Sequence, residues 1–73
     1  MKPYLDGTKV IKVKGESSDV HPVGTTGVVV AHLYHPQLGS GYFVHWDGDP
    51  ENVVGFVIDW KIKTTMEPND FFN

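Results

Sequence analysis

The sequence predicts an all-β domain of five short antiparallel strands, with one helical turn before the last strand. Three observations carry this prediction. No stretch keeps a helical period. Gly and Pro, 8 and 5 of the 73 residues, recur at short intervals. Val, Ile, Tyr, Phe and Trp fill the spaces between them, which is the pattern of short strands joined by frequent turns.

The first strand is expected over residues 8–14, where Val10, Ile11 and Val13 are apolar and Gly7 and Gly15 bound the run. Residues 15–24 are polar and rich in turn formers, so an irregular loop follows. The second strand is expected over 26–34, through Val28-Val29-Val30-Ala31-His32-Leu33. A loop over 35–41 carries Pro36, Gly39 and Gly41. The third strand is expected over 42–47, Tyr-Phe-Val-His-Trp-Asp. Asp47-Gly48 between two apolar runs is a hairpin signal. The fourth strand is expected over 53–59, a helical turn over 59–61 and a short last strand over 62–65. Residues 1–65 are read as the domain and 66–73 as a tail, polar except for Phe71 and Phe72.

Seventy-three residues make one small domain with a thin stability margin. There is no cysteine, which removes disulfides and thiolate zinc sites and fits a reducing compartment. No apolar signal segment follows Met1, and no run approaches the roughly 20 apolar residues of a membrane helix. The expectation is a cytoplasmic protein with no membrane partner. The formal net charge is −3. All six basic residues are lysines near the two ends of the chain: Lys2, Lys9, Lys12, Lys14, Lys61 and Lys63. Arg, the preferred residue for bidentate phosphate and guanine contacts, is absent, so nucleic acid is an unlikely partner.

Val23-Gly24-Thr25-Thr26-Gly27-Val28-Val29-Val30 resembles the Val-Gly-x-x-Gly-x-Val approach to the second strand of many SH3-like barrels. Tyr42-Phe43-Val44-His45-Trp46-Asp47 resembles the strand that follows. The pattern, over about residues 7–63, is similar to the small peripheral photosystem I subunit, the barrel of nitrile hydratase beta chains and KOW-type segments. The resemblance implies a five-stranded antiparallel SH3-like barrel. Its motifs specify turns and core positions, and carry no functional residue across.

By analogy with such barrels, Val29, Ala31, Tyr42, Val44, Trp46, Val53 and Val57 are expected to point inward. The alternate set is Val28, Val30, Phe43, His45, Val54, Phe56 and Ile58, and nearly all of it is apolar too. A sheet with one wet face normally alternates apolar with polar. These strands therefore read as buried on both faces. The cover is a second copy, another protein, or the tail with Phe71 and Phe72; a one-residue slip of one strand is the competing explanation. Self-association is the favoured reading, with Val28, Val30, Phe43, His45, Phe56 and Ile58 as the partner-binding face.

Other constellations are weaker. His21, His32, His35 and His45 are metal-capable residue types without a tight ligand motif, so no metal is expected. Asp47, Asp49 and Glu51 alternate as calcium ligands do, but the set lacks the further ligands of an EF-hand loop. Lys12, Lys14, Lys61 and Lys63, with Trp60 as a stacking residue, would form a basic strip if the first and last strands are neighbours; this is the nucleic-acid alternative. The bland reading of that strip is a lysine-protected sheet edge. Tyr34, His35, Tyr42 and Trp60 are candidates for the groove in which SH3 domains take proline-rich peptides, with Trp60 the strongest and Tyr42 assigned to core. Ser17, Ser18 and Ser40 have no partnered His and acid at recognisable spacing, and no glycine-rich phosphate loop opens a helix. No catalytic residue and no cofactor are expected. The plasmid-borne dihydrofolate reductases are also small SH3-like barrels, with a shared pore in a tetramer. Their Val-Gln-Ile-Tyr motif is not found; the chain reads Val57-Ile58-Asp59-Trp60 there, which leaves a reductase-like oligomer as a second alternative.

Overall fold

A computed structural model of the chain describes residues 3–15 and 19–65. Five strands form: β1 (Lys9–Lys12), β2 (Thr26–His35), β3 (Gly39–Trp46), β4 (Gly55–Ile58) and β5 (Ile62–Thr64), with a 3-10 turn at Asp59–Lys61. They make one antiparallel sheet in the order β4-β3-β2-β1-β5. The all-β prediction and the helical turn before the last strand therefore hold. Among the described residues the sheet is open, with β4 at one edge and β5 at the other.

The strand ends differ from the sequence expectation by up to three residues, and two of these differences bear on the site. β3 starts at Gly39 rather than at Tyr42, because Gly39 takes a positive φ of 87° that closes a tight hairpin after β2. β4 starts at Gly55, so Val53 and Val54 precede the strand and both stay exposed. The expectation that Val53 points inward is corrected on this ground.

The core lies on one face of the sheet: Val10, Val29, Tyr42, Val44, Trp46, Val57 and Ile62. Strict alternation along β3 places Tyr42, Val44 and Trp46 there and sends Phe43 and His45 to the other face. Gly27 permits close packing of β2 on β3: a Cβ there would lie 2.7 Å from the His45 carbonyl oxygen and 2.8 Å from Val44 Cγ1.

Alternation breaks once. The β2–β3 register pairs Val29 with Val44 and then Ala31 with Phe43, so Val30 is the extra residue of a β-bulge. Directly opposed residues share a face. Ala31 therefore lies with Phe43 on the outer face, correcting the expectation that it points into the core. His32, paired with Tyr42, turns to the inner side, its ring centroid 5.2 Å from that of Tyr42.

Two segments cover the inner face. At one end Tyr4 stacks on Tyr42 with centroids 5.3 Å apart, and its N–H donates to the Tyr42 hydroxyl. At the other end the loop between β1 and β2 returns over the sheet. His21 stacks on Trp46 at 5.3 Å, and the Asp49 carboxylate accepts from its Nε2 at 3.0 Å. Lys12, buried on the same face, donates to the His21 carbonyl at 2.7 Å and pairs with Asp19 at 2.8 Å.

Candidate interaction surface

The outer face is built from cross-strand neighbours. Ala31, Phe43 and Phe56 form one apolar row across β2, β3 and β4, and Leu33, Gly41 and Ile58 form the next. Val28 opposite His45 extends the face toward β1. Phe43 and Phe56 meet edge to face with ring centroids 5.8 Å apart, a favoured aromatic geometry. The Phe56 ring packs on Gly41: a Cβ at Gly41 would clash with the ring at Cζ and Cε2 and lie 2.9 Å from the Val57 carbonyl oxygen. Leu33 and Phe56 remain 40% and 37% exposed, so the rows reach solvent at both ends.

Of the residues expected on this face, Val28, Phe43, Phe56 and Ile58 are brought together. His45 sits at its margin, donating from Nε2 to the Pro50 carbonyl at 3.1 Å. Val30 occupies the bulge and is exposed. Leu33 was missed, because only the bulge brings it to this side. The trace in the sequence is the run Val28-Val29-Val30, three β-branched residues where strict alternation would place a polar one.

A groove of about 810 Å³ runs along the free edge of β4. All four β4 residues line it, with Val53 before them. Val20 and His21 from the β1–β2 loop, Leu38 from the β2–β3 hairpin and Trp60 from the 3-10 turn contribute the other walls. Val20, Leu38 and Trp60 are well exposed. Trp60 thus does line a groove; Tyr42 is core, and Tyr34 projects from β2 into solvent.

The groove's charges are matched internally. Asp19 takes Lys12 at 2.8 Å and Lys61 at 3.5 Å, and the Lys61 ammonium lies 5.5 Å from the Trp60 ring centroid. β1 and β5 are neighbours, as the lysine strip requires. Of the five strip residues, Lys12, Trp60 and Lys61 line the groove together, and Lys14 and Lys63 do not. Lys12 is buried on the inner face and Lys61 turns into the groove beside Trp60, while Lys63 pairs with Ile11 on the outer side and Lys14 is exposed beyond β1.

Other polar residues make contacts within the chain. His35 Nδ1 accepts from the Gln37 and Leu38 N–H groups at the hairpin tip. His32 Nε2 lies 2.6 Å from Ser40 Oγ. Asp47 accepts from the Thr26 hydroxyl, while Asp49 holds His21. Among the described residues, no three metal-capable side chains group together. Ser17, Ser18, Phe71 and Phe72 lie outside the described residues. No helix among the described residues is long and apolar enough to cross a membrane.

Comparisons with protein-family models, with curated proteins and with solved structures found no match.

Proposed function

We propose that this chain is a non-enzymatic cytoplasmic binding module, folded as an SH3-like barrel, that acts by associating with itself or with another protein. The strand order, the long first loop and the 3-10 turn before β5 support the barrel reading. One observation carries the functional reading: two apolar rows cross the outer face, with Leu33 and Phe56 exposed and Ala31, Phe43 and Ile58 half-buried, and end at an edge strand with no charged side chain. Contiguous exposed apolar surface of this kind marks interaction sites. The lysine strip supports nucleic-acid binding less well, since Asp19 engages both Lys12 and Lys61.

Light scattering after size exclusion tests the reading. The chain is expected at two or more times its 8.1 kDa mass. Leu33→Asp puts a charge at the exposed end of one apolar row and is expected to return the mass to one chain while the circular dichroism stays folded. A Leu33→Asp chain that keeps the wild-type mass overturns the outer face as the contact surface. A wild-type mass of one chain removes self-association and leaves a foreign protein as the partner.

A further inference from the structure

The groove along β4 holds a hydrogen-bond donor that the chain leaves unmet. Trp46 is only 3% exposed, and the N–H of so buried an indole normally finds an acceptor. Among the described residues Trp46 Nε1 makes no hydrogen bond. No side-chain nitrogen or oxygen among them is both sealed from solvent and unpaired. The Trp46 N–H therefore reaches the surface, and Trp46 lines the groove together with Gly55. Gly55 keeps the way to it open. It stands opposite Val44 on the inner side of β4. A Cβ at Gly55 would have Trp46 Nε1 as its one close neighbour, at 3.9 Å. The φ of Gly55 is not positive, so neither backbone conformation nor crowding calls for glycine there. The missing side chain leaves a notch beside the indole nitrogen.

We propose that the groove binds a small, uncharged aromatic molecule whose carbonyl oxygen accepts from Trp46 Nε1. The inference goes beyond the association reading and does not depend on the outer face. Three features select this chemistry. First, the unmet group is a donor, so the ligand supplies an acceptor. Second, the charged side chains of the groove cancel, Lys12 and Lys61 against Asp19 and Asp49. They are also engaged, Asp19 with both lysines and Asp49 with His21. A charged ligand would compete with these contacts, and a neutral one leaves them intact. Third, the remaining walls are apolar and open: Val20, Leu38, Val53 and Trp60. Trp60 is 57% exposed and offers a ring face on which a second ring can stack. Apolar and aromatic walls around about 810 Å³, with one polar group placed to fix orientation, are the make-up of a small-molecule site.

The chain has two tryptophans, so the indole N–H signal of Trp46 in heteronuclear NMR reads the contact directly. The protein is titrated separately with phenylacetamide, phenethylamine and phenylacetate. The amide is expected to move the Trp46 indole proton downfield, saturating in the low millimolar range usual for so small a ligand. Phenethylamine carries the same ring and no acceptor, and is expected to leave that proton in place. Phenylacetate is expected to bind about tenfold more weakly than the amide, since its charge leaves water for lysines that Asp19 already holds. Gly55→Val fills the notch and is expected to abolish the shift while the chain stays folded, because a β-branched residue suits a strand. Where Gly55→Val fails to fold, Gly55→Ala takes its place and is expected to weaken the amide. Four results overturn the proposal: no saturable shift with phenylacetamide, which leaves solvent as the partner of this N–H; an equal shift with phenethylamine; phenylacetate bound as tightly as the amide; or an unchanged titration in a folded Gly55 variant. Leu33→Asp is expected to leave the titration unchanged, so failure of the association reading and failure of this one are told apart.

Discussion

The two faces of this sheet are made from nearly the same residue types and meet different fates. The inner face gathers Val10, Val29, Tyr42, Val44, Trp46, Val57 and Ile62 and is closed by Tyr4 at one end and the loop bearing His21 at the other. The outer face gathers Ala31, Leu33, Phe43, Phe56 and Ile58, of which Leu33 and Phe56 are exposed and the other three half-buried. The inner cover is held by specific polar contacts. Lys12 is buried, yet its ammonium reaches both Asp19 and the His21 carbonyl, so the loop satisfies the cation and the cation anchors the loop. On the outer side, among the described residues, His45 Nε2 bonds the Pro50 carbonyl at the margin of the face. Apolar composition selects which residues avoid water, but a cover also needs polar groups placed to hold it.

The comparison can be broken hardest at Trp46. Trp46→Ala removes the largest inner side chain and the platform under His21, and is expected to cost about 3–5 kcal/mol. A domain of this size has roughly 4–11 kcal/mol in total, at about 0.05–0.15 kcal/mol per residue. Denaturant titration should find the unfolding free energy lowered by about 3–5 kcal/mol, the largest loss of the series.

Asp19→Ala comes next. Among the described residues, it leaves the buried Lys12 ammonium with the His21 carbonyl as partner. Breaking a buried pair on one side costs about 3–5 kcal/mol, and the opening of this site to the groove lowers the expectation to about 2 kcal/mol. Lys12→Met with Asp19→Ala should recover part of that loss, because an apolar stem needs no counter-ion. No recovery in the double variant would mean that Lys12 and Asp19 do not act as a pair.

His21→Ala sharpens the comparison further. It removes the stack on Trp46 and the bond to Asp49, for an expected loss of about 1–2 kcal/mol. Faster amide exchange around residues 19–25 should accompany the loss, with β3 amides little changed. Smallest of all is Leu33→Asp on the open face, where the stability change should stay within about 0.5 kcal/mol. Its large effect is expected in assembly mass. A stability loss of several kcal/mol there would mean that the outer face is covered after all.

Much of this structure was legible in the chain. Strand β3 alternates so regularly that Tyr42, Val44 and Trp46 could be assigned to core, and Phe43 and His45 to the opposite face, without coordinates. Period-two alternation is a local property of extended backbone, so sequence alone determines it. The Asp47-Gly48 turn and the helical turn before β5 were readable for the same reason, since turn chemistry acts over a few residues. The bulge at Val30 was not. Three consecutive valines fit either face, and only the pairing of Val29 with Val44 and Ala31 with Phe43 decides where the extra residue goes. Lys12 read as one member of an exposed strip until the fold brought Asp19 and His21 over it from the following loop. The sequence by itself determined the strands, their turns and an excess of apolar residues on two faces. The tertiary structure decided which face is sealed, because sealing depends on long-range contacts between a buried cation, a returning loop and a sheet edge that no local pattern encodes.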